Sequence, residues 1–221
     1  MLLKMKMKHL LAVAFVSFVS ATQVCAQTEM DALLTTMPKE VVPYLDKEQL
    51  AELAQFASKG VSSVKNTLEG ETTLDSISTD YLRLKLSDFS TLQMRLLSVG
   101  DTAQILCVVK TVKRPVADSR VAFYDTQWKR VDTPQGLPVL ADIDGLLDEF
   151  TERPDTMSVE RYQELRSWIE PVLLQVDASD QRDALVYELS MPLLNKDDHR
   201  QLAVVMRRQL YRWDGSMFKK D

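Results

Sequence analysis

The chain has 221 residues, of which 45% are hydrophobic and 27% charged, and its formal net charge is −5 at pH 7. This composition is too apolar for an intrinsically disordered protein, and its 6 glycines and 8 prolines are too few for a fibrous one. The negative charge argues against nucleic acid and against anionic lipid surfaces as ligands, because both repel an acidic protein.

Residues 1–26 have the three parts of a secretory signal peptide. Three lysines lie within the first eight residues, and the apolar run that follows over 10–19 is too short to span a bilayer. The residues around Cys25 fit a signal peptidase site, which predicts cleavage after Ala26 and a periplasmic or cell-surface protein. Lipidation of Cys25 is the alternative, for which the preceding valine is a poor fit. No later stretch has the length of a transmembrane segment.

Cleavage would remove three lysines and no acidic residue, leaving 24 basic against 32 acidic residues and a formal charge of −8. It would also leave one cysteine, Cys107, and one histidine, His199. A single thiol closes no loop, and one residue of each type is too few for a typical zinc site. The glycines are too far apart for a phosphate-binding loop. We therefore expect no metal and no cofactor. A calcium site made of oxygen ligands from Asp142 and Asp144 and from 195–198 stays open as the alternative to helix caps and helix starts at these positions.

The first predicted elements of the mature chain are two helices, over 29–36 and 47–58. Asp46 and Gln49 have the spacing of a capping box, in which each side chain accepts a hydrogen bond from the backbone of the other. Gly60 is placed for a C-terminal cap of the second helix.

From residue 71 the apolar pattern has a period of two, which is typical of antiparallel strands with one buried face. Leucines alternate with polar residues over 81–86, and a similar stretch covers 91–96. The run 105–109 is apolar at every position and includes Cys107. This run predicts a central strand covered on both faces, with a buried and unreactive thiol. Another strand is predicted at 121–124.

The segment 133–138 divides the chain into a helix-plus-meander half, 27–135, and a helix-plus-strand half, 136–221. In the second half, Asp142 and Ser158 are predicted to cap two helices. The other segments of this half are two strands, a stretch that fits either a helix or a strand, and a closing hairpin: 172–176, 185–189, 195–208 and 210–218.

The predicted fold class is α+β, with antiparallel sheet or sheets and helices packed on one face. Each half reads as two helices followed by strands, and a few residue groups recur between the halves. The halves would then be tandem α-α-β(4) units that arose by duplication, and chance similarity is the alternative.

The turn 124–128 (YDTQW) and the closing segment 211–218 (YRWDGSMF) resemble segments of an uncharacterised family of exported proteins found in Bacteroidales. The resemblance extends over most of the mature chain and includes no catalytic motif, so it implies no functional residues. The order of two helices and several strands, given twice, is also similar to the architecture of beta-lactamase-inhibitor protein. That similarity implies a fold and no function.

Catalytic devices have few candidates in this sequence. His199 lies in a strongly polar stretch, and the chain has no Gly-x-Ser-x-Gly motif, so we expect a solvated histidine at a helix start. A hydrolase that uses a pair of carboxylates stays open as an alternative, because 32 acidic residues offer many pairs and only the fold selects among them.

Binding of a protein partner is the leading functional hypothesis. Tyr81, Tyr124, Trp128 and Trp213 lie in or beside half-polar strands and turns, from which aromatic side chains can face a partner. They predict a non-enzymatic interaction module that contacts another exported protein or a second copy of itself. The structural alternative is that Trp128 and Trp213 cover the sheet or its edge. The functional alternatives are a carboxylate-based hydrolase, which needs a deep acidic cleft, and a carrier of a small apolar ligand, which needs an enclosed cavity.

Overall fold

A computed structural model describes residues 29–56, 62–178 and 183–221. The expected leader at 1–26 and the expected cap Gly60 lie outside the described residues. Within them the chain forms five helices and two antiparallel sheets, which confirms the α+β class. The helices are α1 (Glu29–Thr35), α2 (Lys47–Phe56), α3 (Ile143–Phe150), α4 (Val159–Ser167) and α5 (Lys196–Ala203).

The large sheet has seven strands that pair in sequence order as a meander, and the small sheet has four strands in the order β11-β10-β9-β8. The strands of the large sheet are β1 (Ser62–Lys65), β2 (Glu71–Ile77), β3 (Tyr81–Ser87), β4 (Ser90–Val99), β5 (Ala103–Val112), β6 (Asp118–Asp125) and β7 (Arg130–Val131). Those of the small sheet are β8 (Leu174–Asp177), β9 (Ala184–Leu189), β10 (Arg208–Trp213) and β11 (Phe218–Lys220).

The N-terminus of α2 is fixed by the predicted capping box. The backbone N–H of Gln49 donates to Asp46 Oδ1 at 2.8 Å, and the backbone N–H of Asp46 donates to Gln49 Oε1 at 2.9 Å. The first turn of a helix leaves its N–H groups without partners inside the helix, so this exchange satisfies one of them locally. Leu45 and Leu50, on either side of the cap, are both buried.

Both faces of the large sheet are covered. Helices α1 and α2 pack on one face, which we call the helix face, and the small sheet with α3, α4 and α5 packs on the other, the sheet face. In β5, Leu106 and Val108 belong to the core on the helix face, whereas Cys107 and Val109 belong to the core on the sheet face. This double burial explains why the run 105–109 does not alternate, and confirms the central place of its strand between β4 and β6.

The small sheet is buried on one face and carries charged as well as apolar side chains on the other. Val176, Tyr187 and Tyr211 lie on the buried face, whereas Glu188 and Arg208 pair with each other on the outer face. The helices complete the core beneath this sheet with five buried side chains: Leu146 and Phe150 of α3, Leu165 of α4, Ile169 just beyond it, and Leu202 of α5.

Side-chain caps begin all three helices of the second half. Asp142 and Ser158, as predicted, each accept a hydrogen bond from the backbone N–H three residues further on. Asn195 caps α5 by accepting from two backbone N–H groups at 3.0 Å. The ambiguous stretch 195–208 is therefore helical at its start, and β10 follows the helix.

Side chains of the large sheet fasten the edge strand β8. The backbone N–H of Val176 donates to Ser119 Oγ at 3.0 Å, and that of Ala178 donates to Gln93 Oε1 at 3.1 Å. Arg95 donates to the carbonyl oxygen of Ala178 from both Nε and Nη2, at 3.1 and 2.6 Å. A sheet edge otherwise presents unpaired backbone groups, so these buried side chains both satisfy the edge and join the two sheets.

The two halves differ in element order. Among the described residues the first half has two helices followed by seven strands. The second half has three helices and four strands, and its third helix, α5, lies between β9 and β10. The architecture of beta-lactamase-inhibitor protein is therefore not confirmed by element order, and an origin by duplication stays a prediction.

Candidate functional site

The four aromatic residues that the sequence singled out lie on opposite faces of the large sheet. Tyr81 and Trp213 pack against the core on the sheet face, whereas Tyr124 and Trp128 pack against the core on the helix face. The large sheet separates the two pairs, so the four side chains do not form one surface.

Trp213 is a core residue that is only 7% exposed. Its indole Nε1 donates to the carbonyl oxygen of Ser98 at 2.6 Å, and its ring lies 5.1 Å from that of Phe218. These contacts join β10 to the end of β4 and leave little ring area for a partner. Trp213 therefore covers the sheet, which is the structural alternative given above, and we do not include it in a contact surface.

Tyr81 belongs to the contact between the sheets. Its half-buried ring lies 4.6 Å from the guanidinium carbon of Arg95, which also forms an ion pair with Asp80 at 3.4 Å. Burial raises the pKa of the Tyr81 hydroxyl, and the nearby charge of Asp177 raises it further. The ring therefore supports the arginine that holds β8.

Tyr124 and Trp128 mark the border of the helix layer. Both are half-buried, with ring centroids 5.5 Å apart, and Trp128 Nε1 donates to Thr36 Oγ1 at 3.2 Å. The turn between β6 and β7 places them, because Asp125 Oδ1 accepts hydrogen bonds from the backbone N–H groups of Gln127 and Lys129 at 2.9 Å. Trp128 has a φ of 63°, which is uncommon for a residue other than glycine. The two rings thus anchor this turn to the segment that ends α1.

An open depression of about 440 Å³ lies on the helix face, near the hairpin that joins β5 to β6 and away from Tyr124. Lys110 and Arg120 are direct cross-strand partners in it, and Val112 and Asp118 are partners at the next position on the same face. We call it the basic depression, and its lining residues are Lys110, Val112, Arg114, Val116, Asp118 and Arg120.

The cations of the basic depression form no ion pair in the described part of the chain, although Arg114 interacts at longer range with Asp88, which is itself paired with Lys85. Within the described ranges, none of Lys110, Arg114 and Arg120 lies within ion-pair distance of a carboxylate, although Asp118 lines the same depression. Like charges placed directly opposite each other destabilise a sheet. The positive charge is concentrated at this place although the protein as a whole is acidic.

Aromatic and apolar groups border these cations. The guanidinium carbon of Arg114 lies 3.3 Å from the ring centroid of Phe89, and Lys110 Nζ lies 5.9 Å from that of Tyr44. Phe89 is 37% exposed and Val112 is 44% exposed. Burial raises the pKa of the Tyr44 hydroxyl, and a hydrogen bond with Ser90 acts against this rise. The depression can therefore contact an anionic group and an apolar group at the same time.

In the other depressions the arginines are paired or the room is too small. A polar cavity of about 40 Å³ between the sheets, beside Gln93 and Asp177, has space for little more than water. Two depressions of about 300 and 400 Å³ flank α5. Their arginines are paired: Arg207 with Glu152 at 2.8 Å, and Arg200 with an aspartate of its own helix.

The described residues offer little for the catalytic devices considered from the sequence. No three His, Cys, Asp or Glu side chains among them are grouped closely enough to hold a metal ion. Cys107 is completely buried, as predicted, and this burial raises its pKa. His199 lies on α5 between Lys196 and Arg200 at a shallow depression. None of the helices in the described ranges is both long enough and apolar enough to cross a membrane.

Sequence reasoning missed the basic depression. Lys110 and Arg120 are ten positions apart, and neither was among the residues singled out from the sequence. The signal that could have found them is the turn at Arg114 and Pro115, because a hairpin centred there brings the two cations opposite each other. The residues singled out from the sequence as a contact surface were aromatic, and the fold uses two of them, Tyr81 and Trp213, between the sheets.

The comparison with protein families identifies the chain. A family model described as "Protein of unknown function (DUF3256)" matches residues 21–218. The chain belongs to this family. The DUF3256 match includes the large sheet, the basic depression and the small sheet up to the first residue of β11. An uncharacterised family was also what the sequence segments resembled.

The DUF3256 chain is similar to the solved structure of a domain of an uncharacterized protein from Porphyromonas gingivalis W83. The two have 26% sequence identity and a TM-score of 0.70, and the similarity covers 88% of this chain and 98% of that chain. A comparison with curated proteins gives no match. The fold and family are thus established, and function must be argued from the site.

Proposed function

We propose that this DUF3256 protein is an exported, non-enzymatic binding module that contacts another exported protein through the basic depression. One observation carries this proposal: three cations that form no ion pair in the described part of the chain, Lys110, Arg114 and Arg120, stand beside the exposed side chains of Phe89 and Val112. Arginine and aromatic residues are enriched where proteins bind one another. The turn at Trp128 lies on the same face and would border the contact.

The chemistry of the depression favours binding over the two alternatives. A carboxylate-based hydrolase needs two acids flanking its substrate, and Asp118 is the one carboxylate among the residues that line the depression. A carrier of an apolar ligand needs an enclosed apolar cavity, whereas this site is open and carries four charged side chains.

Export is part of the proposal and is supported by the leader pattern at 1–26. Fractionation of cells that make the protein, followed by N-terminal sequencing, tests it. We expect the mature protein outside the cytoplasm with Gln27 as its first residue. Recovery from the cytosol with residues 1–26 intact would contradict export.

The contact surface is tested by photocrosslinking in intact cells. We would incorporate p-benzoylphenylalanine at Val112, in the depression, and in a matched chain at Val204, which is 52% exposed beside α5. We expect one exported protein, identified by mass spectrometry, to be crosslinked at Val112 and not at Val204, and its yield to fall in Arg120→Gln. Equal adducts at both positions, or none at Val112, would reject the surface.

A further inference from the structure

We infer, on the basis of the proposed function, that the partner presents an acidic polypeptide segment to the basic depression. Its carboxylates face the pair formed by Lys110 and Arg120, and an apolar side chain faces Val112. The structure supports this choice through the positions of the charges, the spacing along the strand and the apolar border of the site.

The first step concerns the opposed cations. Lys110 and Arg120 are cross-strand partners on a part of the helix face that α1 and α2 do not cover, and neither is paired with a carboxylate in the described part of the chain. Asp118 stands opposite Val112 and not opposite either cation. Two like charges held side by side repel each other, and a bound anion would remove that repulsion while gaining two charge-assisted contacts.

The second step concerns spacing. Lys110 and Val112 are two positions apart on β5, which separates side chains on the same face by about 7 Å, and Arg114 lines the same depression further along. An extended polypeptide repeats the side chains of one face at the same interval. The sequence acidic-x-apolar-x-acidic therefore complements Lys110, Val112 and Arg114 in order.

The third step separates a polypeptide from other polyanions. Exposed Val112 and Phe89 lie among the cations, so a complementary ligand must supply apolar groups between its charges. A polypeptide does so, whereas a sulfated polysaccharide does not. A lipid surface would have to approach a protein whose mature chain has 32 acidic residues, and the net negative charge opposes that approach.

Calorimetric titration of the mature chain with synthetic peptides tests this inference. The probe is a 12-residue peptide of three Glu-Ser-Leu-Ser repeats, and its matched control replaces each Glu with Gln. We expect binding of the Glu peptide, loss of binding for the Gln peptide, and affinity about tenfold weaker in Arg120→Gln. Lys196→Gln, which removes one exposed cation on α5, should bind the Glu peptide as the wild type does.

Each other result overturns the inference. These results are no binding of the Glu peptide, equal binding of both peptides, an undiminished affinity in Arg120→Gln, or preferential binding of dextran sulfate or of phosphatidylglycerol vesicles. A cooperative thermal unfolding transition, measured for each variant, is the control that the variant is folded. The outcome is distinct from failure of the proposed function, because a partner crosslinked at Val112 through a segment without acidic residues would preserve the function and reject the acidic ligand.

Discussion

Lys110 on β5 and Arg120 on β6 stand directly opposite each other, and the described residues place no carboxylate in an ion pair with either. A sheet that served only as scaffold would be more stable with one of them neutral. Proteins often retain residues that lower the stability of the fold where those residues are required for function. This relationship connects the stability of the fold with the proposed binding of an anionic segment.

Arg120→Gln should therefore stabilise the free protein while it weakens binding. We expect a gain of about 0.5 kcal/mol in the free energy of unfolding at low ionic strength, measured by urea denaturation. Adding salt should reduce the difference, because screening weakens the repulsion in the wild type. Lys196→Gln is the control for loss of one positive charge. A clear loss of stability in Arg120→Gln would contradict the opposed-charge argument.

Gln93→Ala should loosen the small sheet. The variant removes the acceptor for the buried N–H of Ala178 and the donor to Asp177. An unsatisfied buried N–H costs about 1–3 kcal/mol, so we expect a loss of that size in urea denaturation. Gln55→Ala, at an exposed position of α2, makes the same change without this contact. Similar effects of the two substitutions would show that Gln93 does not hold β8.

Gly136→Ala should destabilise the joint between the two halves. Gly136 has a φ of +91°, and an added Cβ would lie 1.8 Å from the carbonyl oxygen of Phe218, so the backbone of β11 would have to move. Gly100→Ala is the matched control, since Gly100 also has a positive φ, +57°, but open space around it. We expect a loss of about 1 kcal/mol for the control and clearly more for Gly136→Ala. Equal melting temperatures would show that the contact with Phe218 is easily relieved.

The hydrogen bond between Trp128 and Thr36 is measured by a double-mutant cycle. Trp128→Phe removes the indole donor and keeps an aromatic ring, and Thr36→Val removes the acceptor. We expect each to cost about 1 kcal/mol and the pair to cost less than the sum, with a coupling energy of about 0.5–1.5 kcal/mol. Additive effects would mean that the bond contributes nothing to fastening the turn to α1.

Asp214 should make the closing hairpin sensitive to acid. Its carboxylate accepts hydrogen bonds from Lys219, from the backbone N–H groups of Met217 and Ser216, and from the Ser216 hydroxyl, and these contacts lower its pKa below the ordinary 3.8. A pKa that is lower in the folded state stabilises the protein above pH 3.8, and that contribution is lost as the pH falls through the folded pKa.

Melting temperatures between pH 5 and pH 2 test this sign. We expect Asp214→Asn to lose less stability than the wild type over that range, since its side chain has no proton to gain. Lys219→Gln should also flatten the profile, because it removes the largest cause of the lowered pKa. Parallel profiles of all three proteins would show that Asp214 is not a source of acid sensitivity.

Local features of the fold were predictable because their causes lie close together in the chain. The capping box of Asp46 and Gln49, the caps at Asp142 and Ser158, and the alternation in β3 and β4 each depend on residues a few positions apart. The uninterrupted apolar run in β5 correctly indicated a strand covered on both faces. The side-chain surroundings of Trp213 were not predictable, because its partner Ser98 is far away in sequence.

The amino-acid sequence by itself determined the α+β class, most helix caps, the central strand and the scarcity of histidine and cysteine, since these follow from composition and from short-range periodicity. Only the tertiary structure decided which aromatic rings are used inside the fold and which cations meet on its surface. Strand register and the packing of one sheet on another bring distant residues together, so the pair of Lys110 and Arg120, like the hold of Gln93 and Arg95 on β8, exists only once the chain has folded.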